Sequence, residues 1–133
     1  MKNLGQCMDA YLAASALQNE KMPFRTAWAL ASCAAQLRDA ARFFSEQERA
    51  LAKKYAKKDE AGGIKWTGAG TFALENTADA AAFEKEHAQL CEVEAAQKYV
   101  MPATAPAPEQ ITPAQLEALR GFLCFEAEGK IYG

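Results

Sequence analysis

Residues 24–56, FRTAWALASCAAQLRDAARFFSEQERALAKKYA, belong to the longest run of the chain without glycine or proline. At a rise of about 1.5 Å per residue they predict a helix of roughly 50 Å. Large apolar residues recur in it every seven positions, at Leu30, Leu37, Phe44 and Leu51. Alanine recurs in the neighbouring seam at 27, 34 and 41, until Glu48 and Tyr55 replace it. A stripe of this kind needs a partner helix to cover it.

The best candidate for that partner is the segment 76–97. Asn76 is a residue that caps helices, and one face then carries Ala80, Phe83, His87 and Leu90 at spacings of three and four. The two segments predict a mainly α fold, built on a long antiparallel helical hairpin.

The connection between the two helices, about 57–75, contains Gly62, Gly63, Gly68 and Gly70. These glycines flank two β-prone pieces, 64–67 after Gly63 and 71–74 after Gly70. They predict a small β-hairpin at the tip of the helical hairpin.

The two ends of the chain carry helix-start signals. Asn3 with Gln6 predicts a capping box for a first helix that ends near Asn19, and Pro23 suits the first turn of the long helix. Near the other end, residues 111–115 combine an isoleucine, a capping threonine, a proline and a capping-box glutamine, which predicts a last helix ending near Gly121.

Three prolines in MPATAPAPEQ predict a stiff, extended spacer before that last helix. The predicted organisation is a hairpin domain over 1–101, a proline-rich spacer over 102–111, and a C-terminal helix with an apolar tail over 112–133. In this view the last helix is carried on an arm. The apolar residues of the arm and tail, which need a surface to cover them, predict an oligomer interface formed by Leu116, Leu119, Phe122, Leu123 and Phe125.

Composition narrows the class of protein. The length of 133 residues suits one domain, and 15 Lys plus Arg against 17 Asp plus Glu give a net charge of −2. This balance lacks the overall basic field typical of non-specific nucleic-acid binding. No apolar run approaches the roughly 20 residues of a membrane span, and the start, MKNLGQCMDAYL, lacks a signal-peptide pattern. We therefore expect no membrane partner and a cytoplasmic location.

Residues that bear chemistry are few. The four cysteines are far apart in sequence, so they predict free thiols. His87 and Cys91 have the spacing of two zinc ligands, but two ligands do not make a site, and a packed histidine is the preferred interpretation. With one histidine and no paired nucleophile, the sequence predicts no metal, no cofactor and no enzymatic activity.

A basic stripe precedes the tip. Arg49, Lys53 and Lys57 recur every four residues, and Trp66 follows in the glycine-rich segment. Such a set would offer cations to a phosphate and an aromatic face to a base. The preferred interpretation is that these cations complement the dipole at the helix C-terminus and remain solvated.

Several segments together resemble a known family. They are ALQNEKMPFRTAWALA, LAKKYAKKDEAGG, IKW, TFAL, FEKEHAQLCEVE and ITPAQLEAL, and the most specific pieces are 54–62 and 90–94. Over about 12–119 the chain resembles a family of small bacteriophage and prophage proteins, domain of unknown function 1617. The high alanine content and the proline-rich spacer depart from the family pattern. The resemblance implies a phage-encoded protein of the bacterial cytoplasm, and it brings no activity or site residues with it.

Two functions are consistent with these observations. The first is a non-enzymatic phage accessory or assembly protein that acts by protein–protein contact and self-association. The alternative is an anti-defence protein that sequesters a small anionic signal, such as a cyclic nucleotide, or that inhibits a host protein. For the nucleotide, the predicted ligand-binding residues are Arg49, Lys53, Lys57 and Trp66.

Overall fold

A computed structural model describes residues 2–56, 63, 66–68, 71–72, 77–96, 98–127 and 130–132. Its helices are α1 Leu4–Leu17, α2 Phe24–Tyr55, α3 Thr77–Glu92 and α4 Pro113–Leu119. Its strands are β1 Trp66–Gly68, β2 Thr71–Phe72, β3 Ala105–Pro106, β4 Phe125–Ala127 and β5 Lys130–Tyr132. The mainly α class predicted from the sequence is confirmed.

Local capping chemistry sets the helix starts. The Asn3 side chain accepts a hydrogen bond from the Gln6 backbone at 2.8 Å, and the Gln6 side chain accepts one from the Asn3 backbone at 2.9 Å. Thr112 and Gln115 form the same reciprocal pair before α4. Both capping boxes predicted from the sequence are therefore confirmed. Pro23 lies at the N-cap of α2, one residue earlier than expected.

Helix α3 ends earlier than the predicted residue 97, because the chain after it pairs with the start of α1. The backbone N–H of Leu4 donates to the Val93 carbonyl at 2.8 Å, and that of Ala95 donates to the Lys2 carbonyl at 2.9 Å. These bonds satisfy backbone groups that a longer helix would have paired internally.

Helix α2 is the centre of the fold. Leu30, Cys33 and Leu37 are buried between α2 and α1 in the main core. Towards the C-terminal end of α2, Phe44 packs with Leu90 and Leu4 in a second, smaller core. Farther along α2, the Tyr55 ring lies 6.4 Å from the Phe83 ring. A later residue of α2 thus contacts an earlier residue of α3, so the two helices run in opposite directions.

The C-terminal region differs from the predicted arm. Strand β3 pairs in parallel with β4, β5 pairs antiparallel to β4, and α4 lies in the connection from β3 to β4. Ala105 is buried in the main core, and the buried Thr26 hydroxyl donates a hydrogen bond to the Pro106 carbonyl. Proline suits β3 because β3 is an edge strand, whose free side needs no N–H donor. Within the segment predicted as a spacer, Ala105 and Pro106 thus contact the core and α2.

The residues predicted to form an oligomer interface are placed differently as well. Leu119, Phe122, Leu123 and Phe125 are buried in the main core of the same chain, and Leu116 packs against that core. The same core contains residues of α1 and α2 and Ala105 of β3. The side chains of Leu119, Phe122, Leu123 and Phe125 are thus covered within one chain, and Leu116 is half-buried.

Most of the predicted tip, 57–75, lies outside the described residues. Of the predicted β-hairpin, β1 and β2 are described, and they pair antiparallel with Trp66 opposite Phe72. Within the described part of the chain, no helix combines the length and the apolar character needed to cross a membrane.

Candidate functional site

The outward face of α2 carries an unusual apolar stripe. Phe24, Trp28, Ala31 and Ala35 follow one another at spacings of four, three and four, so they lie on one helical face opposite the buried Leu30, Cys33 and Leu37. Phe24 is 94% exposed and Trp28 is 75% exposed. We call Phe24, Trp28, Ala31 and Ala35 the α2 stripe. Two adjacent exposed aromatic side chains are typical of a contact surface.

The same face becomes basic beyond Ala35. Arg38, Arg42, Arg49 and Lys53 continue it at helical spacing, and all four are exposed. Glu46 also lies on this face and offsets part of the positive charge. Arg49 and Lys53 are two of the four residues predicted to bind an anionic ligand, and the structure places them one turn apart. Lys57 and the Trp66 side chain lie outside what the structure describes, so the four-residue site remains a prediction.

Charge pairs join the C-terminal end of α2 to α3. Lys54 Nζ lies 3.3 Å from a carboxylate oxygen of Glu86. Hydrogen bonding to Tyr55, which is the largest contribution, and to Lys54 lowers the pKa of Glu86. Hydrogen bonding to Tyr55 and to Glu86 raises the pKa of Lys54. Lys54 is exposed and Glu86 is half-buried, so solvent screens much of this attraction and the pair contributes little stability.

The single histidine lies in an aromatic and acidic setting. His87 stacks on Phe83 at 5.7 Å between ring centroids and meets Phe44 edge-on at 5.8 Å. Its Nε2 lies 2.8 Å from a Glu48 carboxylate oxygen, and since a carboxylate only accepts, Nε2–H is the donor. Its Nδ1 lies 3.8 Å from Cys91 Sγ.

This cluster fits the packed histidine expected from the sequence. Among the residues whose side chains are described, no group of three His, Cys, Asp or Glu could hold a metal ion. Burial raises the pKa of the Cys91 thiol, so near neutral pH it stays protonated and is a poor nucleophile. Sequence reasoning missed Glu48 as the partner of His87. The signal was present, because Glu48 is the residue that interrupts the alanine seam at 27, 34 and 41.

A cleft of about 370 Å³ opens where α1, α2, the segment after α3 and the turn after α4 meet. Cys7, Leu37 and the Phe122 ring form its apolar part, and Lys2 and Lys98 supply its cationic groups. No sequence motif marks this cleft, because its walls come from four separate segments.

Tyr99 holds one wall of the cleft in place. Its hydroxyl donates to the Phe122 carbonyl at 2.8 Å, and its ring meets the Phe122 ring edge-on at 5.3 Å. Burial, together with contacts to Cys33, raises the pKa of Tyr99 well above its ordinary value. The hydroxyl therefore remains a donor throughout the neutral range.

We expect Tyr99→Phe to lower the free energy of unfolding by about 1 kcal/mol at pH 7, because the Phe122 carbonyl loses its donor. Since the pKa is raised on folding, Tyr99 contributes stability below the unfolded pKa of about 10 and loses that contribution as pH rises further. Urea unfolding at pH 7 and at pH 10.5 should therefore show a smaller difference between variant and wild type at the higher pH. A difference that grows with pH would contradict this assignment.

No family model, no curated protein and no solved structure matches the chain. A proposal about the function of this protein therefore rests on the surfaces of the molecule itself.

Proposed function

We propose that the protein is a non-enzymatic accessory protein that acts by protein–protein contact and self-association through the α2 stripe. The observation that carries this proposal is the exposure of Phe24 and Trp28 on one face of a helix whose opposite face buries Leu30, Cys33 and Leu37. The resemblance of the sequence to phage and prophage proteins supports a phage-encoded role in the bacterial cytoplasm, in assembly or in another accessory task.

Energetics favour a covered stripe. Burial of a large apolar side chain contributes about 1.5–3 kcal/mol, and both aromatic residues leave most of this contribution unused in the isolated chain. Tryptophan is also among the residues that most often dominate binding energy at protein interfaces. A partner that covers both rings therefore gains more from this face than from any single charged residue beside it.

A second copy of the chain is the occupant that we propose. If two α2 helices pack antiparallel about a twofold axis, Ala31 of one copy can face Ala35 of the other, and small residues there allow close approach. In the same register Trp28 faces Arg38 of the second copy, and Phe24 faces Arg42. Each aromatic ring thus meets a guanidinium group, an arrangement that cation–π attraction stabilises. The stripe and its basic continuation are self-complementary in this orientation.

Sedimentation equilibrium over a wide range of protein concentration tests this proposal. We expect a concentration-dependent dimer, and we expect Trp28→Ser to weaken dimerisation at least about tenfold while the helical circular dichroism stays unchanged. The matched control is Phe43→Ser, which removes an aromatic residue, 47% exposed, from a different face of the same helix. Its dimerisation should equal that of the wild type.

Arg38→Glu adds a test of the register. Because Arg38 would face Trp28 of the second copy, charge reversal should weaken the dimer, whereas Arg49→Glu, beyond the contact, should not. A wild-type protein that stays monomeric at every concentration would overturn self-association, and equal loss in Trp28→Ser and Phe43→Ser would overturn the assignment to the α2 stripe.

A further inference from the structure

The cleft beside Tyr99 has the size and chemistry of a small-molecule site. Its volume of about 370 Å³ falls within the range of about 300–1,000 Å³ that is common for ligand pockets. Cys7, Leu37, Ala40 and Phe122 are among its lining residues, and they give the cleft its apolar character. It lies on the opposite side of α2 from the α2 stripe, because Leu37 belongs to the buried face.

The polar groups of the cleft are positively charged or already satisfied. Lys2 and Lys98 are lining residues, and no acidic residue is among the described residues that line the cleft. Neither lysine has a carboxylate within ion-pair distance in the part of the chain that the structure describes. The Tyr99 hydroxyl already donates its hydrogen bond to the Phe122 carbonyl, so it cannot donate one to a ligand.

The position of Lys2 is defined by the rings at the cleft. Its Nζ lies 4.9 Å from the Phe122 ring centroid and 6.0 Å from that of Tyr99, which is cation–π distance. The Lys2 backbone is also fixed, because its carbonyl accepts the Ala95 N–H at 2.9 Å. The Lys2 ammonium group is therefore held in a defined position beside an apolar cavity.

We propose that this cleft binds a small amphipathic monocarboxylate, an aliphatic chain that ends in one carboxylate, of the size of a medium-chain fatty acid. The chain would lie against Leu37, Ala40 and Phe122, and the carboxylate would lie between Lys2 and Lys98. A nucleotide is also an anion, but it fits this cleft less well than a monocarboxylate does. The described lining offers no free amide or hydroxyl to recognise a base or a sugar. This site is independent of the α2 stripe and of self-association.

Isothermal titration calorimetry with three probes of equal chain length tests the chemistry. Decanoate, decanol and decyltrimethylammonium, each below its micelle concentration, carry a negative, a neutral and a positive head. We expect decanoate to bind about tenfold more tightly than decanol, since its head gains charge-assisted hydrogen bonds that solvent partly screens. The cationic probe should bind most weakly. Equal affinity for all three probes, or no binding of decanoate, would overturn the proposal.

Variants locate the site. Lys2→Met with Lys98→Met should reduce decanoate affinity to that of decanol and leave decanol unchanged, while the matched control Lys21→Met, an exposed lysine outside the cleft, should change neither. Ala40→Leu should weaken both ligands, because the larger side chain projects into the cleft. Trp28→Ser, which tests the α2 stripe, should bind decanoate as the wild type does. If Trp28→Ser lost decanoate binding while the lysine variants kept it, the cleft would not be the site.

Discussion

Replacement of Phe125 by alanine is expected to lower the free energy of unfolding by about 3–5 kcal/mol. Phe125 is 2% exposed, lies in the central strand of the three-stranded sheet, and belongs to the main core with residues of α1 and α2. Removing its ring deletes a large buried apolar group and leaves a cavity between elements from both ends of the chain. Small domains are stable by only about 5–15 kcal/mol, so this one change removes a large share of the total.

Urea unfolding followed by circular dichroism measures this loss. The matched control is Phe43→Ala, which removes the same side chain from a half-exposed position on α2 and should cost much less. A Phe125→Ala variant as stable as this control would mean that the C-terminal tail adds little to the core. That outcome would restore the detached arm that the sequence alone predicts.

Helix starts were predictable because their chemistry is local. A capping box needs only two side chains three residues apart, and both Asn3 with Gln6 and Thr112 with Gln115 form the predicted hydrogen bonds. The burial of Leu30, Leu37 and Phe44 was predictable for a similar reason, because one helix fixes which residues share a face.

The position of the C-terminal tail depends on contacts between segments far apart in sequence. Strands β3 and β4 are only two and three residues long, and parallel pairing requires a crossover, which α4 provides. Proline content correctly indicated an extended backbone at 105–106, but it carries no information on whether another segment covers it. The burial of Thr26 against Pro106 is one such contact that no local pattern indicates.

The candidate sites divide in the same way. Phe24 and Trp28 are exposed because they lie on the helical face opposite Leu30 and Leu37. Their exposure could therefore be predicted from the periodicity of the α2 sequence. The cleft at Lys2 and Phe122 exists only when both ends of the chain meet, so no reading of one segment could find it.

Gly5→Leu is expected to lower the free energy of unfolding by about 3 kcal/mol, the upper end of the range for overpacking a filled contact. Gly5 lies in the first turn of α1, where a Cβ atom built on it would meet Cys91 Cβ at 2.9 Å and the Cys91 backbone at 3.3 Å. Neither atom is the mobile end of a long side chain, so α1 and α3 would have to separate. The hydrogen bond from Leu4 N–H to the Val93 carbonyl, one residue away, would be strained by that movement.

Gly5→Ala tests whether the contact with Cys91 is the cause, through the sign of the change in the free energy of unfolding. Helix propensity alone favours alanine over glycine by about 1 kcal/mol at an open helical position, so a loss of stability there reports the contact with Cys91. Cys91→Gly removes the nearest atom, and the cost of Gly5→Ala should therefore be smaller in that background, as a double-mutant cycle by urea unfolding would measure. Gly121→Ala is the contrasting control, because the added Cβ meets nothing closer than 3.8 Å but the backbone φ of +83° is unfavourable for alanine, and its cost should not depend on Cys91. A Gly5→Ala protein that is more stable than the wild type would show that α1 and α3 do not approach each other this closely.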